Sequence, residues 1–248
     1  MKKNRGIKIL KTAAAVLFWT AVWAGISVIV KKELLIPTPW KTLAVLAGLA
    51  QTAAFWKAVG LSLVRILAGF ALGMLLGTAG GILTERFSLF RVLVQPLMHL
   101  IRSVPVASFI ILALVWIRTD ALPIFIAFLM VLPLFWDGIA NGMTLTNRQE
   151  LEMGRVLGLS RERIWSEIRI PALAPHFRAA CVTGIGFAWK SGVAAEVICR
   201  PVNSLGNLLQ TAKITLETPE VFALTLTVVC LSLMVERLFR FFWKEGRK

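Results

Sequence analysis

Long apolar stretches separated by short charged segments set the pattern of this chain. Each stretch is close to the roughly 20 residues that an α-helix needs to cross the hydrocarbon core of a bilayer. The pattern therefore predicts an all-α polytopic membrane protein with about six transmembrane helices. The predicted spans are residues 12–30, 58–84, 92–117, 121–143, 176–198 and 219–241.

The first span and the connection after it need separate treatment. Basic residues precede the span, which is long for a signal peptide and lacks a small-x-small cleavage site, so we expect an uncleaved helix. Segment 31–57 is mixed in polarity and contains Trp40 and Trp56, whose side chains suit a membrane interface. We expect part of this segment to lie along the membrane surface.

Composition supports a membrane protein and argues against a soluble one. Hydrophobic residues make up 57% of the chain, charged residues make up 17%, and the mean hydropathy is +0.76. A soluble domain of this length needs more polar surface. The net charge of +15 would suit a nucleic-acid partner, but the sequence has no nucleic-acid-binding motif, and we expect no such binding.

The distribution of basic residues predicts the orientation of the chain. They cluster between the apolar stretches, where they determine topology. With six spans and the N-terminus inside, the inner segments hold 18 of the 28 Lys and Arg residues and the outer segments hold 7. This bias predicts that both termini face the cytoplasm.

Residues with catalytic or metal-binding chemistry are sparse. Cys181, Cys199 and Cys230 are widely spaced and form no C-x-x-C pair. Neither His99 nor His176 lies in a ligand-like cluster, and no nucleophile triad, dinucleotide loop or P-loop is present. We expect no metal site, no cofactor bound by this chain and no enzymatic activity.

The second predicted span carries a stripe of glycines. Four of them recur at every fourth position, so they share one helix face. A face without side chains lets another backbone approach closely, which predicts tight helix packing. The glycines are Gly69, Gly73, Gly77 and Gly81.

Residues 144–175, here termed the polar loop, form the longest charged passage of the chain. Gly158 and Ser160 predict the end of one short helix and the N-cap of the next. The second helix would present an apolar edge and would stop at Pro171 and Pro175. By residue type alone, an ordinary basic loop and a helix-turn-helix shaped for another protein fit equally well.

The spacing inside the polar loop resembles a known motif. Read as E-x5-G-x9-I-x-x-P, residues 152–171 resemble the EAA loop of ABC-type importer permeases, E-A-A-x3-G-x9-I-x-L-P. Met153 and Gly154 stand where the family has two alanines, and Ile170 stands where it has leucine. The matching positions are Glu152, Gly158, Ile168 and Pro171.

This resemblance implies a role for the polar loop. In the family the loop is cytoplasmic and forms coupling helices that dock into a groove on an ATPase subunit. ATP-driven closure of the ATPase pair then reaches the membrane spans through these helices. The implied coupling residues are Glu152, Met153, Gly154, Gly158, Trp165, Ile168 and Pro171.

The resemblance extends over roughly residues 58–240 and narrows to one branch of the family. Segments 62–83 and 92–117 look like the nitrate, sulfonate and taurine branch of these permeases. The branch's Ala-Ala-Glu and Leu-Gly elements are matched within 192–198 and 204–209, by Ala194, Ala195, Glu196, Leu205 and Gly206.

The branch implies a type I importer permease with a MetI-like fold, multi-pass in the bacterial inner membrane. Its substrate would be a small anion such as a sulfonate, taurine or nitrate, although related permeases also carry thiamine-precursor pyrimidines. The implied complex has two permease copies, two ATPase subunits that use the ATP, and an external substrate-binding protein. The chain would divide into an N-terminal helix with a periplasmic connection (1–57), the permease core (58–241) and a basic cytoplasmic tail (242–248).

Ionisable residues inside the predicted spans need water or a partner, because each costs about 2.5–3.5 kcal/mol in lipid. We predict that Arg65 forms a structural pair near a membrane edge. Arg102 either lines the translocation path or pairs with a neighbour such as Asp137. Lys190 either faces the path and favours anions or forms a salt bridge, for example to Asp137. Glu196 is the third predicted path residue, with Arg102 and Lys190.

Two other classes of protein fit the sequence less well. An ion-driven secondary transporter would need acidic or histidine relays and often has inverted repeats, whereas the spans offer only Asp137 and Glu196 and show no repeat. That class also leaves the polar loop unexplained. A membrane enzyme or scaffold would need a nucleophile, a metal cluster or an acid/base pair, none of which is visible.

Overall fold

A computed structural model describes residues 2–145 and 148–245, with side chains for 10–145, 150–154 and 156–241. That part of the chain is helical and contains no strand. Residues 146, 147 and 246–248, which belong to the predicted polar loop and basic tail, lie outside the described residues. The elements are α1 (Lys2–Val30), α2 (Pro39–Ala50), α3 (Ala53–Arg86), α4 (Ser88–Ser103), α5 (Val106–Ala113), α6 (Leu122–Thr144), α7 (Arg148–Val156), α8 (Arg161–Arg163), a π-helical segment (Ile164–Arg169), α9 (Ile170–Cys199), α10 (Leu205–Ile214) and α11 (Thr218–Glu245).

Four of these helices are long and apolar enough to cross a membrane: α1, α3, α6 and α11. The bent pair α4 and α5 would add a fifth span if the two are counted as one. Helix α9 is not among them, although it has the length, because polar and charged residues such as Lys190 and Glu196 interrupt its apolar sequence. The count of about six spans and the orientation therefore stay predictions.

The predicted span over 92–117 is divided between two helices. Helices α4 and α5 meet at a sharp break with an angle of 105° between them. The residue before a proline is pushed towards extended backbone, and Val104, which precedes Pro105, has ψ 131°. Pro96, by contrast, lies inside α4 without ending it.

Segment 31–57 also resolves into distinct elements. Thr38 caps α2, and Pro39 starts that helix at a position where a missing N–H costs nothing. Thr52 then caps α3, which begins at Ala53, several residues before the predicted second span. Whether α2 lies along the membrane surface stays a prediction.

Helices α3, α6 and α9 form the centre of the molecule, with α6 packed between the other two. The glycine stripe of α3 faces α6. A Cβ atom built on Gly69 would lie 2.3 Å from the Ile124 carbonyl oxygen, and one on Gly77 would lie 2.6 Å from the Leu132 carbonyl oxygen. The two backbones thus approach as closely as the stripe allows. The core around them includes Ile66, Phe70, Val131, Phe135, Ile185 and Trp189.

Helix α1 stands largely apart from this core. Its contacts with the rest of the chain run through Trp23, which stacks on Phe222 with ring centroids 5.7 Å apart and donates from Nε1 to the Pro37 carbonyl. Ser27 adds a hydrogen bond to the Ile36 carbonyl. Most other described side chains of α1 are exposed, as expected of a helix that faces lipid.

Candidate functional site

The polar loop folds as a helix-turn-helix, one of the two forms that its residue types allow. Helix α7 ends in a left-handed turn at Gly158, whose φ is +70°, and the Leu159 N–H donates to the Gly154 carbonyl. This is the arrangement in which glycine is favoured after a helix C-terminus. Ser160 then caps the next helix, its Oγ accepting from the Arg163 N–H at 3.4 Å.

Two of the motif positions hold the pair of short helices together. A Cβ atom on Gly154 would lie 3.0 Å from Ile168 Cδ1, which is tighter than ordinary van der Waals contact. It would lie 3.4 Å from Leu159 Cδ1, which is close to ordinary contact. The absent side chain at Gly154 thus makes room for Ile168 from the following helix. The family's alanine at this position would need a small shift of that isoleucine.

The prediction that Pro171 and Pro175 end the second helix is wrong. The helix that starts at Arg161 passes through a π-helical segment and continues as α9 to Cys199. At the junction the Ile170 N–H donates to the Trp165 carbonyl, five residues back. In a regular α-helix a proline ring crowds the carbonyl four residues earlier, and the wider π turn before Pro171 gives the ring more room.

The outer face of the polar loop is apolar and open. Met153 is 59% exposed, Val156 87% and Leu157 69%. Glu152 beside them is exposed, as is Pro171. These side chains have no core to enter within the described residues.

The inner face of the polar loop meets the helix bundle. Trp165 is half-buried, and the Arg169 guanidinium lies 5.0 Å from the centre of its ring. Such stacking is attractive because the ring face is electron-rich. Both side chains line a cleft that the ends of α3 and α6 complete with Ile82, Glu85, Arg86 and Met143.

Arg102 has the carboxylate partner that the sequence left as one of two alternatives. It forms an ion pair with Asp137 that joins α4 to α6. The side chains of Arg102 and Asp137 remain 40% and 41% exposed, at the edge of a cleft of about 310 Å³. Sequence reasoning missed Gln95 and His99, which line the same cleft. The spacing of polar residues could have identified them, since Arg91, Gln95, His99 and Arg102 share one face of α4.

Glu196, which we predicted to line the translocation path, is completely buried in this structure. Its Oε2 accepts from Ser62 Oγ at 2.6 Å and from the Gly206 N–H at 3.3 Å. Its Oε1 lies 3.7 Å from the Arg65 guanidinium. Glu196 therefore anchors the N-terminus of α10, where a negative charge is favoured.

Arg65 completes this cluster, as a structural pair of the kind that we predicted. Its guanidinium also forms an ion pair with Asp120 at 3.2 Å and donates to the Val202 carbonyl. The backbones at positions 206 and 196 approach so closely that glycine is required at 206, since a Cβ atom there would lie 2.4 Å from the backbone of Glu196. The cluster thus connects α3, the loop before α6, α9 and α10.

Lys190 stands apart from these pairs. Its side chain is exposed, and within the described residues it forms no ion pair. The alternative of a salt bridge to Asp137 is not what the structure shows, because Asp137 pairs with Arg102. In the same part of the chain, no group of three or more His, Cys, Asp or Glu residues is arranged to hold a metal ion.

Comparison with known proteins defines the class of this molecule. Residues 69–245 match the family described as "Binding-protein-dependent transport system inner membrane component". A probable ABC transporter permease protein of Brucella melitensis is 31% identical over 180 residues, which cover 72% of this chain and 73% of that protein. The molecule is thus a permease of the ABC transporter class.

More distant relatives carry specific names. The taurine transport system permease protein of Escherichia coli is 24% identical over 88% of this chain and 81% of its own length. A bicarbonate transport system permease protein of Synechococcus elongatus is 24% identical over 61% and 55%. The chain belongs to the family of binding-protein-dependent transport system inner membrane components. This confirms the predicted family, the all-α MetI-like fold and a multi-pass location in the inner membrane.

Proposed function

We propose that this chain is the membrane subunit of an ATP-driven importer for a small anion, and that the polar loop couples it to a cytoplasmic ATPase. The observation that carries the coupling role is the exposed apolar face of the loop at Met153, Val156 and Leu157. Apolar side chains on a polar projection, away from the spans, mark a protein contact.

The shape of the loop fits this contact. A short helix that presents apolar side chains three or four residues apart is suited to an apolar groove, and Met153, Val156 and Leu157 have this spacing. The turn at Gly158 and the contact of Gly154 with Ile168 fix α7 against the helix that follows. The partner would therefore meet a preformed surface.

The partners and the source of energy follow from the same proposal. ATP is hydrolysed by the ATPase subunits, and this chain binds no cofactor. A second copy of the permease completes the translocation path, and an external substrate-binding protein delivers the substrate. Both termini and the polar loop lie in the cytoplasm in this arrangement, as the distribution of basic residues predicts.

The proposed substrate class rests on relatives and on charge. The two relatives with specific names are permeases for taurine and bicarbonate, which carry a sulfonate and a carbonate group. This chain adds a cation, Lys190, exposed within the predicted fifth span. Both features favour a small anion.

Co-purification from the native membrane tests the coupling role. The intact permease should bring down an ABC ATPase subunit that mass spectrometry identifies. Glu152→Lys places a positive charge in the docking face, and Gly158→Asp puts a side chain where φ is +70°, at a cost of roughly 1–2 kcal/mol. We expect both variants to lose most of the ATPase.

A matched control comes from the other side of the predicted membrane. Glu217→Lys makes the same charge reversal at an exposed residue between α10 and α11, and it should keep the ATPase bound. Retention of a normal amount of ATPase by both loop variants would contradict the proposal, provided that they reach the membrane at the level of the parent.

A further inference from the structure

We propose that one face of α9 lines the translocation path between two copies of this chain, and that Lys190 is the anion-contacting residue on that face. The inference rests on the proposed function and assigns its substrate contact. The face, here termed the α9 stripe, consists of Ala179, Thr183, Phe187, Lys190, Ala194 and Ile198.

The α9 stripe is a single line on a helix that is otherwise enclosed. Its members are separated by three or four residues, so they lie on one side of the helix. All residues from 180 to 199 that do not belong to the stripe are buried or half-buried, because α3, α5, α6, α10 and α11 pack around α9. Between residues 179 and 199, α9 is therefore exposed along this line alone.

The composition of the α9 stripe differs from that of lipid-facing helix surfaces. Exposed residues elsewhere in the long spans are mostly large and apolar, for example Leu75 on α3 and Leu233 on α11. The stripe exposes the large apolar Phe187 and Ile198 as well, but half of its members are small: Ala179, Thr183 and Ala194. Small residues let a second helix come close and leave room for water or solute between the helices.

Lys190 lies deep within the predicted fifth span. It is nine residues from the end of α9, which is about 13 Å at the helical rise, and the hydrocarbon core is about 30 Å thick. A charge facing lipid at that depth costs about 2.5–3.5 kcal/mol. Arg65 and Arg102, two other cations well inside predicted spans, are paired with carboxylates. The charge of Lys190 likewise needs a balancing group, which would be water or an anion.

The site is incomplete without the second copy. One chain presents Lys190 on an open face, whereas two copies facing each other would place two ammonium groups beside a shared path. Each ammonium offers three hydrogen-bond donors and no acceptor. Like charges repel across a narrow path, and an anion between them removes that repulsion. The transported solute would thus be recognised by its negative charge at mid-depth.

Charged thiol reagents test this inference without knowledge of the substrate. In the full transporter in native membranes, Cys181, Cys199 and Cys230 are replaced by serine, and Thr183→Cys or Ala194→Cys is introduced. Negatively and positively charged methanethiosulfonates are then compared. We expect both cysteines to react, and faster with the anionic reagent. Lys190→Gln should lower the ratio of anionic to cationic rates about threefold to tenfold, the effect of one unit charge over about 6 Å in water.

Two control variants make the outcome decisive. Val229→Cys, on the exposed apolar face of α11, should stay unlabelled, and Lys190→Arg should keep the rate ratio of the parent. If the stripe cysteines do not react, lipid or protein covers the face, and the inference is overturned. It is equally overturned if they react with a rate ratio that Lys190→Gln leaves unchanged. Retention of the ATPase by Glu152→Lys and Gly158→Asp would refute the coupling role and leave the labelling result standing.

Discussion

At the scale of single residues, one carboxylate oxygen organises the junction of three helices. Oε2 of Glu196 on α9 accepts hydrogen bonds from Ser62 on α3 and from the Gly206 N–H on α10. Ser62 Oγ also accepts from the Leu205 N–H at 2.9 Å. Because these groups are buried, each lost bond leaves a polar atom without water to replace it.

Removing the Ser62 hydroxyl tests this arrangement. Ser62→Ala leaves the Leu205 N–H without its acceptor and Glu196 without a donor, and we expect a loss of roughly 1–3 kcal/mol of stability. The measurement is the thermal unfolding midpoint of the purified protein in detergent. Ser103→Ala is the matched control, because Ser103 is exposed and bonds only within its own helix. Equal midpoints for both variants would contradict the account.

Part of this cluster was predictable from the sequence and part was not. A charge inside an apolar stretch signals that it needs a partner, which identified Arg65 and Glu196 as special residues. Ser62 gave no such signal, since a serine in a span is common and its partner lies 134 residues away. The same limit explains why Glu196 was assigned to an open path.

At the scale of helices, the contact of α3 with α6 depends on glycine. A Cβ atom on Gly73 would lie 2.7 Å from Val131 Cβ and 3.0 Å from the Phe128 carbonyl oxygen. Gly60 lies on the same helix but has nothing within 4 Å of the corresponding position. The two positions therefore separate the effect of packing from that of helix propensity.

We expect opposite results from alanine at these two glycines. Gly73→Ala must push α3 away from α6, at a cost of roughly 1–3 kcal/mol for overpacking. Gly60→Ala should be neutral or should stabilise the helix by up to about 1 kcal/mol. Both variants are purified in detergent and heated, and size-exclusion chromatography then measures how much of each remains monodisperse. A stable Gly73→Ala variant would show that the helices can separate at no cost.

The apolar pattern predicted where helices are, but not how they bend or join. The glycine spacing predicted one packed face, yet not that α6 fills it. A proline marks a possible break in a helix, but not every proline causes one. The chain bends by 105° at Pro105, whereas Pro96 and Pro171 lie in continuous helix. The difference depends on the surrounding backbone, above all on the π-helical turn before Pro171, and composition carries no sign of it.

At the scale of the whole molecule, the polar loop has two faces with different tasks. The outer face exposes the apolar Val156, and on the inner face Trp165 and Arg169 line a cleft that the ends of α3 and α6 complete. Docking and transmission should therefore be separable by mutation.

Two substitutions are expected to separate them. Val156→Asp buries a charge in the partner's groove and should release the ATPase subunit. Trp165→Ala should leave the ATPase bound but remove most of the response of ATP hydrolysis to the external substrate-binding protein, because it enlarges the cleft between the loop and the ends of α3 and α6. Co-purification and hydrolysis assays on the same preparations distinguish the outcomes. Loss of the ATPase from both variants to the same degree would mean that the loop has a single task.

The polar loop was the part of the molecule best predicted from its sequence. Gly158 and Ser160 carry local signals for a turn and a cap, and local signals need no tertiary context. The cleft that Trp165 shares with α3 and α6 depends on two distant segments, and the sequence gave no pattern that predicted it.

The continuity of the helix from Arg161 to Cys199 has a mechanical consequence. At about 1.5 Å per residue this rod is about 58 Å long, with the docking loop at one end and Lys190 about three quarters of the way along. A stiff lever of that length, pivoting near its middle, swings each end by about 5 Å for a tilt of only about 10°. Lys190, about 15 Å from that pivot, would move by about 2.5 Å, so a modest rocking of the ATPase would change the width of the passage without any helix having to unwind.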